Sequence, residues 1–454
     1  MASASVRMYR QGLGDCFLIT LPKKSGNAYI LIDCGVLKGT EDSQQKMKAV
    51  AADILKTTGG KLDVLVVTHE HWDHVSGFVQ AQDELKQLTV GEVWVAWTED
   101  PNDELANTLG KRRAMALKAV QGAASRLAVS TDPGAMRNAT RINSLLNFYG
   151  GLAAAGQPTT ADAFTWAKAR AGDKIKFLRP GESFTVPGVD SVRVYVLGPP
   201  TDVKLLKKSD PTKSNPEVYQ LTAGASDLGF LAAVSDSELA NSQHPFESFF
   251  RVTDAEAEAE PLFYDTYQNA NDEWRQIEHD WLGSAGRVAL QLDSDTNNTS
   301  LALAFELTPS KRVLLFPGDA QVGNWMSWGA LEWTVTKNKQ TRVVNAKDLL
   351  ARTVLYKVGH HASHNATMRA QGLELMESRE LVAMIPVNRV TAKKMEWNMP
   401  FPSLFTRLKD KTQGRIIDAE LGIEEPADVP AAAWKKFKTK VKEGANWMEY
   451  TVTR

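Results

Sequence analysis

The sequence predicts a layered α/β protein, on three observations. Short runs of β-branched and aliphatic residues alternate with segments of helical period, and several of those runs stop abruptly at Asp, Gly or His. The apolar share, 43% of 454 residues, is ample for a sizeable core in one elaborated domain or two. In such an arrangement function gathers at strand ends.

The elements follow in order. Residues 6–21 hold Gln11-Gly12-Leu13-Gly14-Asp15 and then the buried-strand run Cys16-Phe17-Leu18-Ile19. A Lys-Ser-Gly-Asn turn leads to Tyr29-Ile30-Leu31-Ile32 and Asp33-Cys34-Gly35, so the two strands form a hairpin. Residues 43–58 carry a helical period, and Leu62-Asp63-Val64-Leu65-Val66-Val67 reads as an interior strand ending at a histidine cluster. Residues 92–97 give the next strand. The expected organisation is a first half of the core over 1–100, a helical insertion over 101–175 and core strands over 176–200. An insertion or lid over 201–285, with an acidic patch at 254–260, comes next. The second half of the core then covers 286–425, and 426–454 form a C-terminal extension. Strands are expected near 300–307, 312–316, 354–358 and 381–385, with no internal repeat.

Charge and cysteine narrow the function classes. A net charge of −1 provides no global field to draw the molecule onto nucleic acid or anionic lipid. Arg389, Lys393, Lys394 and the lysines of 435–442 are the one candidate phosphate-binding patch. The first residues lack the pattern of a signal peptide, and every apolar stretch is short and broken by charge, so no spanning helix is expected. Cys16 and Cys34 lie in strand-like runs and read as buried small hydrophobes. The expectation is a reduced, cytoplasmic protein with no membrane partner.

The chemistry concentrates in Thr68-His69-Glu70-His71-Trp72-Asp73-His74. Of eight histidines, six fall in this cluster and in the one around His360 and His361. His69 and His71 alternate on a loop leaving a strand, so both imidazoles can point one way. Asp73 and His74 follow within a turn and can serve a second cation. Capping and ordinary hydrogen bonding explain one or two histidines, but not three with an aspartate in six residues. Glu70 and Trp72 interleave the ligands and should face away.

His69-x-His71-x-Asp73-His74 resembles the signature of the metallo-β-lactamase superfamily, which implies a four-layer αββα sandwich with largely helical insertions. The resemblance matches Asp319, in Phe316-Pro317-Gly318-Asp319, to the aspartate that bridges two metals, and His360-His361 to the last histidine motif, leaving open which imidazole coordinates. The opening hairpin, Asn297-Asn298-Thr299-Ser300-Leu301, and Lys357-Val358-Gly359-His360-His361-Ala362-Ser363 are similar to the hydrolase domain of the DNA-uptake protein ComEC and its soluble relatives. A separate histidine common in the superfamily has only His244 and His279 as candidates here, and both read better as surface or core residues.

The resemblance implies a dinuclear hydrolase: two divalent cations, zinc foremost with manganese or iron as alternatives, held by His69, His71, Asp73, His74, Asp319 and His360 or His361, with a hydroxide between the cations as nucleophile. Asp73, Asp319 and His361 are the expected catalytic residues, and Asp33 is expected to orient a ligating histidine. Lys357, Ser363 and Asn298 are candidates for substrate contact, each with a bland alternative as a strand-end or turn residue. The expected substrate is a phosphoester, in nucleic acid or a nucleotide. A lactone, amide or thioester hydrolase and a non-catalytic binding module are the alternatives.

Overall fold

The computed structural model describes residues 3–128, 133–151, 156–208, 259–263, 266, 277–337, 340–427 and 429–453. In chain order its strands are β1 (Ala4–Tyr9), β2 (Cys16–Pro22), β3 (Asn27–Cys34), β4 (Lys61–Val66), β5 (Thr89–Ala96) and β6 (Ile175–Leu178). Then come β7 (Ser183–Val186), β8 (Val189–Gly198), β9 (Ala302–Leu307), β10 (Arg312–Phe316), β11 (Glu332–Lys337) and β12 (Gln340–Asn345). The last are β13 (Thr353–Lys357), β14 (Val382–Ile385), β15 (Ile416–Asp418), β16 (Val441–Glu443) and β17 (Trp447–Val452).

Two large mixed sheets result. One has the order β16-β17-β1-β2-β3-β4-β5-β6, the other β15-β14-β13-β10-β9-β8-β7, and β11-β12 form a separate hairpin. Interior strands such as β9 and β13 are buried at every residue, so they read as continuous apolar runs. β17, nearer a sheet edge, alternates buried and half-buried positions with the period of two that a one-sided strand requires.

Three apolar clusters define four layers. Val6, Phe17, Ile30, Val64 and Trp94 of the first sheet pack face to face with Val194, Phe305, Leu314 and Met384 of the second. On the outer face of the first sheet, Leu31, Leu65 and Val93 receive Met47, Val50 and Ile54 of the helix Ser43–Thr58. On the outer face of the second, Tyr195, Leu315, Tyr356 and Ile385 receive Trp325, Trp328, Leu404 and Leu408. The arrangement is the αββα layering expected from the sequence. No helix among the described residues is long and apolar enough to cross a membrane.

The insertions need more detail. The helices Glu104–Ala128, Pro133–Leu146 and Ile277–Asn298 pack on one another through Val120, Leu127, Ile142 and Ala289. The third of these starts inside the expected lid and runs into the expected second half of the core. Residues 426–454 are more than an extension: β16 and β17 join the first sheet, with β17 antiparallel to β1 from Ala4↔Val452 to Tyr9↔Trp447. Their Met448, Tyr450 and Val452 reach the central core. Most of the segment 201–285, including His244 and residues 254–258 of the acidic patch, lies outside the described residues, as does the side chain of His279.

Parallel pairing of β3-β4-β5 and of β10-β13-β14 brings the carboxyl ends of these strands to one rim. The loops leaving β3, β4, β10 and β13 carry Asp33, His69–His74, Asp319 and His360–His361 respectively.

Candidate metal centre

The histidine loop is fixed through its backbone before any side chain chemistry begins. Val67 donates its N–H to Trp94 at 3.1 Å, and Thr68 O accepts the Leu301 N–H at 2.9 Å, which ties the loop to both sheets. Thr68 donates its N–H and its hydroxyl to Asp33 at 2.8 and 2.7 Å. The Asp15 N–H donates to Asp73 O at 2.9 Å. Two glycines make this approach possible. A Cβ on Gly35 would strike the backbone of Asp73 and His74, and one on Gly14, at φ +150°, would lie 2.7 Å from Asp73 O.

On one side of the loop Asp73, His74, Asp319 and His361 gather, all buried, with one ligand atom from each lying within 4.8 Å of the others. Hydrogen bonding assigns the imidazole protons. His74 Nδ1 lies 2.8 Å from Asp33 Oδ2, and His361 Nδ1 lies 2.7 Å from the Pro386 carbonyl, so both Nδ1 atoms carry hydrogen. In a neutral imidazole each Nε2 would then aim its lone pair at an acceptor. His361 Nε2 is 2.9 Å from Asp73 Oδ2, and His74 Nε2 is 3.1 Å from Asp319 Oδ2. Neutral imidazoles facing carboxylates in this way repel unless something positive lies between them.

The electrostatics say the same. Against the penalty of burial, Asp319, Asp73, Asp15 and Asp33 raise His74 well above its ordinary pKa, and Asp73 and Asp319 raise His361. Burial works to raise Asp319, but Lys357 and His74 outweigh it and hold that carboxyl well below the usual range. A cluster of carboxylates and imidazole nitrogens that demands positive charge, in a buried pocket, fits a divalent cation.

The other side of the loop presents two imidazoles. His69 Nδ1 lies 3.0 Å from the Thr68 hydroxyl, whose own hydrogen is given to Asp33, so His69 Nδ1 is the donor. Its Nε2 lone pair faces His71 Nδ1 at 3.1 Å. Burial keeps both rings uncharged, with His71 lowered to about 3. The wall here is aromatic: Phe148 lies 5.4 Å and Tyr149 4.9 Å from the His71 ring, centroid to centroid. Tyr149 is held by its hydroxyl to Leu292 O at 3.0 Å and to Thr296 Oγ1 at 2.8 Å. The insertion helices thus deliver this wall.

His361, rather than His360, joins the cluster. His360 donates its N–H to Asp319 Oδ1 at 2.9 Å, and its Nδ1 is buried and without a hydrogen-bond partner. Burial lowers its pKa to about 4. His360, His361 and Ala362 all take the left-handed conformation, at φ 45°, 51° and 64°, which turns the two imidazoles apart. Asp33, itself at φ 56°, meets His74 and Thr68. Glu70 and Trp72 face away: Glu70 pairs with Arg113 at 2.7 Å, and the Trp72 ring packs beneath Gly150.

The structure departs from the substrate-contact expectations. The Lys357 ammonium is buried, and its three protons go to Asp15, to Asp319 Oδ1 at 3.0 Å and to Gly318 O at 2.9 Å, which leaves none for a substrate. Asn298 is spent on the scaffold: its Oδ1 accepts the N–H groups of Gln321 and Asn324, each at 3.2 Å, and its Nδ2 donates to Lys208 O. Ser363 donates to Asn365 Oδ1 at 3.2 Å within its own turn. Arg389, proposed for a phosphate patch, is held by Asp418 at 2.7 Å and Glu420 at 3.3 Å.

Two buried acids were not singled out from the sequence. Asp15 neutralises Lys357 and lies 3.8 Å from His74 Nδ1. Asp293, on the helix Ile277–Asn298, places Oδ1 3.8 Å from His71 Nε2. The signal for Asp15 is the Gly-x-Gly-Asp kink before a buried strand. For Asp293 only the i, i+4 relation to Asn297 marks it.

A family model bears on this geometry. Residues 9–93 match the metallo-beta-lactamase superfamily. The match runs from the end of β1 into β5 and contains the whole histidine loop, together with Asp15 and Asp33. No curated protein matches the chain. The two-sheet architecture, which extends far beyond the matched segment, is consistent with the metallo-beta-lactamase fold.

Proposed function

We propose that the chain is a metal-dependent hydrolase of phosphoesters working with two divalent cations, zinc foremost. His69 and His71 would hold one, and Asp73, His74, Asp319 and His361 the other. The observation that carries this reading is the convergence of imidazole nitrogens and carboxylate oxygens, all buried and within 4.8 Å of one another on one side of the loop. Paired cations lower the pKa of water and offset charge that develops on phosphorus in the transition state.

The chain's own residues supply the rest. Asp33 and the Pro386 carbonyl keep the Nδ1 protons in place, so both Nε2 lone pairs stay available. Lys357 and the His360 N–H occupy Asp319 Oδ1 and leave Oδ2 toward the cluster. Asp73 Oδ1 is buried and without a partner, and accepts the proton of the attacking water. His360 Nδ1, also buried and unpartnered, serves the leaving oxygen. The similarity of the strand-end motifs to ComEC-type hydrolases supports a phosphodiester. With Arg389 engaged by its own acids, a nucleotide or other small diester suits the described surface better than a long polymer.

The test is a zinc- or manganese-supplemented panel of chromogenic phosphodiester, phosphomonoester, lactone and β-lactam substrates. Turnover of the diester above the others supports the reading. Turnover confined to a lactone or β-lactam shifts it to carbonyl chemistry, and no metal uptake at all removes it.

A further inference from the structure

His71 has two ring nitrogens with different neighbours. Nδ1 faces His69 Nε2 at 3.1 Å, and Nε2 is buried with no hydrogen-bond partner. The atom nearest in charge to that Nε2 is Asp293 Oδ1, 3.8 Å away, and it too is buried and unpartnered. Its other oxygen, Oδ2, accepts from Asn297 Nδ2 at 3.1 Å, which fixes the plane of the carboxylate. A buried imidazole nitrogen and a buried carboxyl oxygen, both unpartnered and 3.8 Å apart, are costly unless they work together.

We propose that Asp293 is the positioning residue of the first cation site: it receives the His71 Nε2 proton and so holds the Nδ1 lone pair toward His69. The inference rests on the two-cation reading above. It makes the His69–His71 pair the counterpart of the other side, where Asp33 already does this for His74. At 3.8 Å the pair lies just outside the ~3.2 Å reach of a direct hydrogen bond, and a small turn of the imidazole closes it. In this assignment Asp293 acts through His71 and not as a ligand, a distinction that the variants below read out. The consequence for the fold is specific. The helix Ile277–Asn298, outside the two sheets, contributes a group on which one cation depends, along with the anchors Leu292 and Thr296 for Tyr149.

The experiment uses the full chain, stripped and reloaded with zinc against a chromogenic chelator, so that both affinities are read. Wild type should bind two ions. Asp293→Ala should weaken one of them by roughly 10–100-fold, the range for loss of an outer carboxylate partner, and leave the other unchanged. Asp293→Asn, which keeps an acceptor without the charge, should weaken the same ion less, and it decides the matter if the alanine variant does not fold. In proton NMR of the zinc-loaded protein, a low-field His71 Nε2–H resonance should be present in wild type and absent in the alanine variant. Unchanged affinities in both variants overturn the proposal. So does complete loss of one ion in both, matching His71→Ala, because that marks a direct ligand. A wild-type chain that takes up no metal overturns the two-cation reading itself, which separates the two failures.

Discussion

On one side of the histidine loop, Asp73, His74, Asp319 and His361 sit among groups that belong to the two sheets: Asp15, Asp33, Lys357 and the Pro386 carbonyl. On the other, His69 and His71 face each other against Phe148, Tyr149 and Asp293, which come from inserted helices. The first side has two carboxylates within 4.8 Å of its imidazole nitrogens, Asp73 and Asp319, and the second has Asp293, 3.8 Å from His71. Charge and rigidity therefore both favour the first side as the tighter cation site. The difference teaches that the sheets alone bring together one set of donors, while the pair on the other side depends on segments added to them.

The largest expected effect comes from the carboxylate-rich side. His361→Ala should lose one bound metal and nearly all turnover, well beyond the roughly 10–100-fold of an outer partner. His360→Ala should keep both ions and lower the rate by about 10²–10⁴-fold, as for a lost acid–base group. Elemental analysis beside turnover separates the two, and equal metal loss in both variants would break the assignment of His361 alone. Gly35→Ala should come next. Its methyl would press into the Asp73–His74 backbone, and overpacking of this kind costs about 1–3 kcal/mol. Thermal unfolding and metal content should fall together; a variant that melts like wild type and holds both ions would mean that the loop yields more easily than its hydrogen bonds imply. Asp33→Ala should weaken the ion held by His74 by roughly 10–100-fold and, through Thr68, loosen His69 as well, whereas Asp293→Ala should touch one ion alone.

Smaller effects concern pH and salt. In the metal-free protein burial holds His71 near 3 and His360 near 4, below the ordinary value of 6.5. The unfolded chain binds more protons between these limits, so this part of the stability is full above pH 6.5 and is lost as pH falls toward 4. His74 and His361, whose pKa values are raised, contribute with the opposite sign and lose stability as pH rises. Urea unfolding of His360→Gln should show a flatter acid limb than wild type, and an unchanged slope would count against a neutral His360. Smallest of all, Lys393→Glu with Lys394→Glu should leave hydrolysis of a small diester unaltered and nearly independent of salt. A steep salt dependence lost in that double variant would restore a polyanionic substrate.

The carboxylate-rich side was the more legible of the two because its parts follow strand ends. Asp73 and His74 share a loop with His69 and His71, and Asp319 and His361 each follow a buried apolar run, so period and spacing point to them directly. Lys357 was misread for a physical reason. A lysine at a strand end is ordinarily solvated, and nothing local reveals that Asp15, more than three hundred residues earlier, consumes its charge. Arg389 was misread likewise, since Asp418 and Glu420 come to it from the far end of a helix and strand. The hairpin of β11 and β12 and the strand β16 escaped, and 447–452, strand-like in sequence, gave no sign of joining the first sheet, because pairing partners, not residue types, define such strands. Asp293 is the hardest case, an acid on an inserted helix with no motif around it.

The separation of the ligands along the chain has a bearing on how the protein is made. Asp73 and His361 meet at 2.9 Å across 288 residues, and His74 meets Asp319 across a comparable stretch. Contacts this distant in sequence form late, after the loop between them has closed. On the ribosome, the histidine loop emerges early with nothing to face. Its cluster cannot exist until β13 has been synthesised and has docked beside β10. Any metal held by this cluster is therefore loaded after the two sheets have met, and a product truncated before His361 lacks part of the donor set.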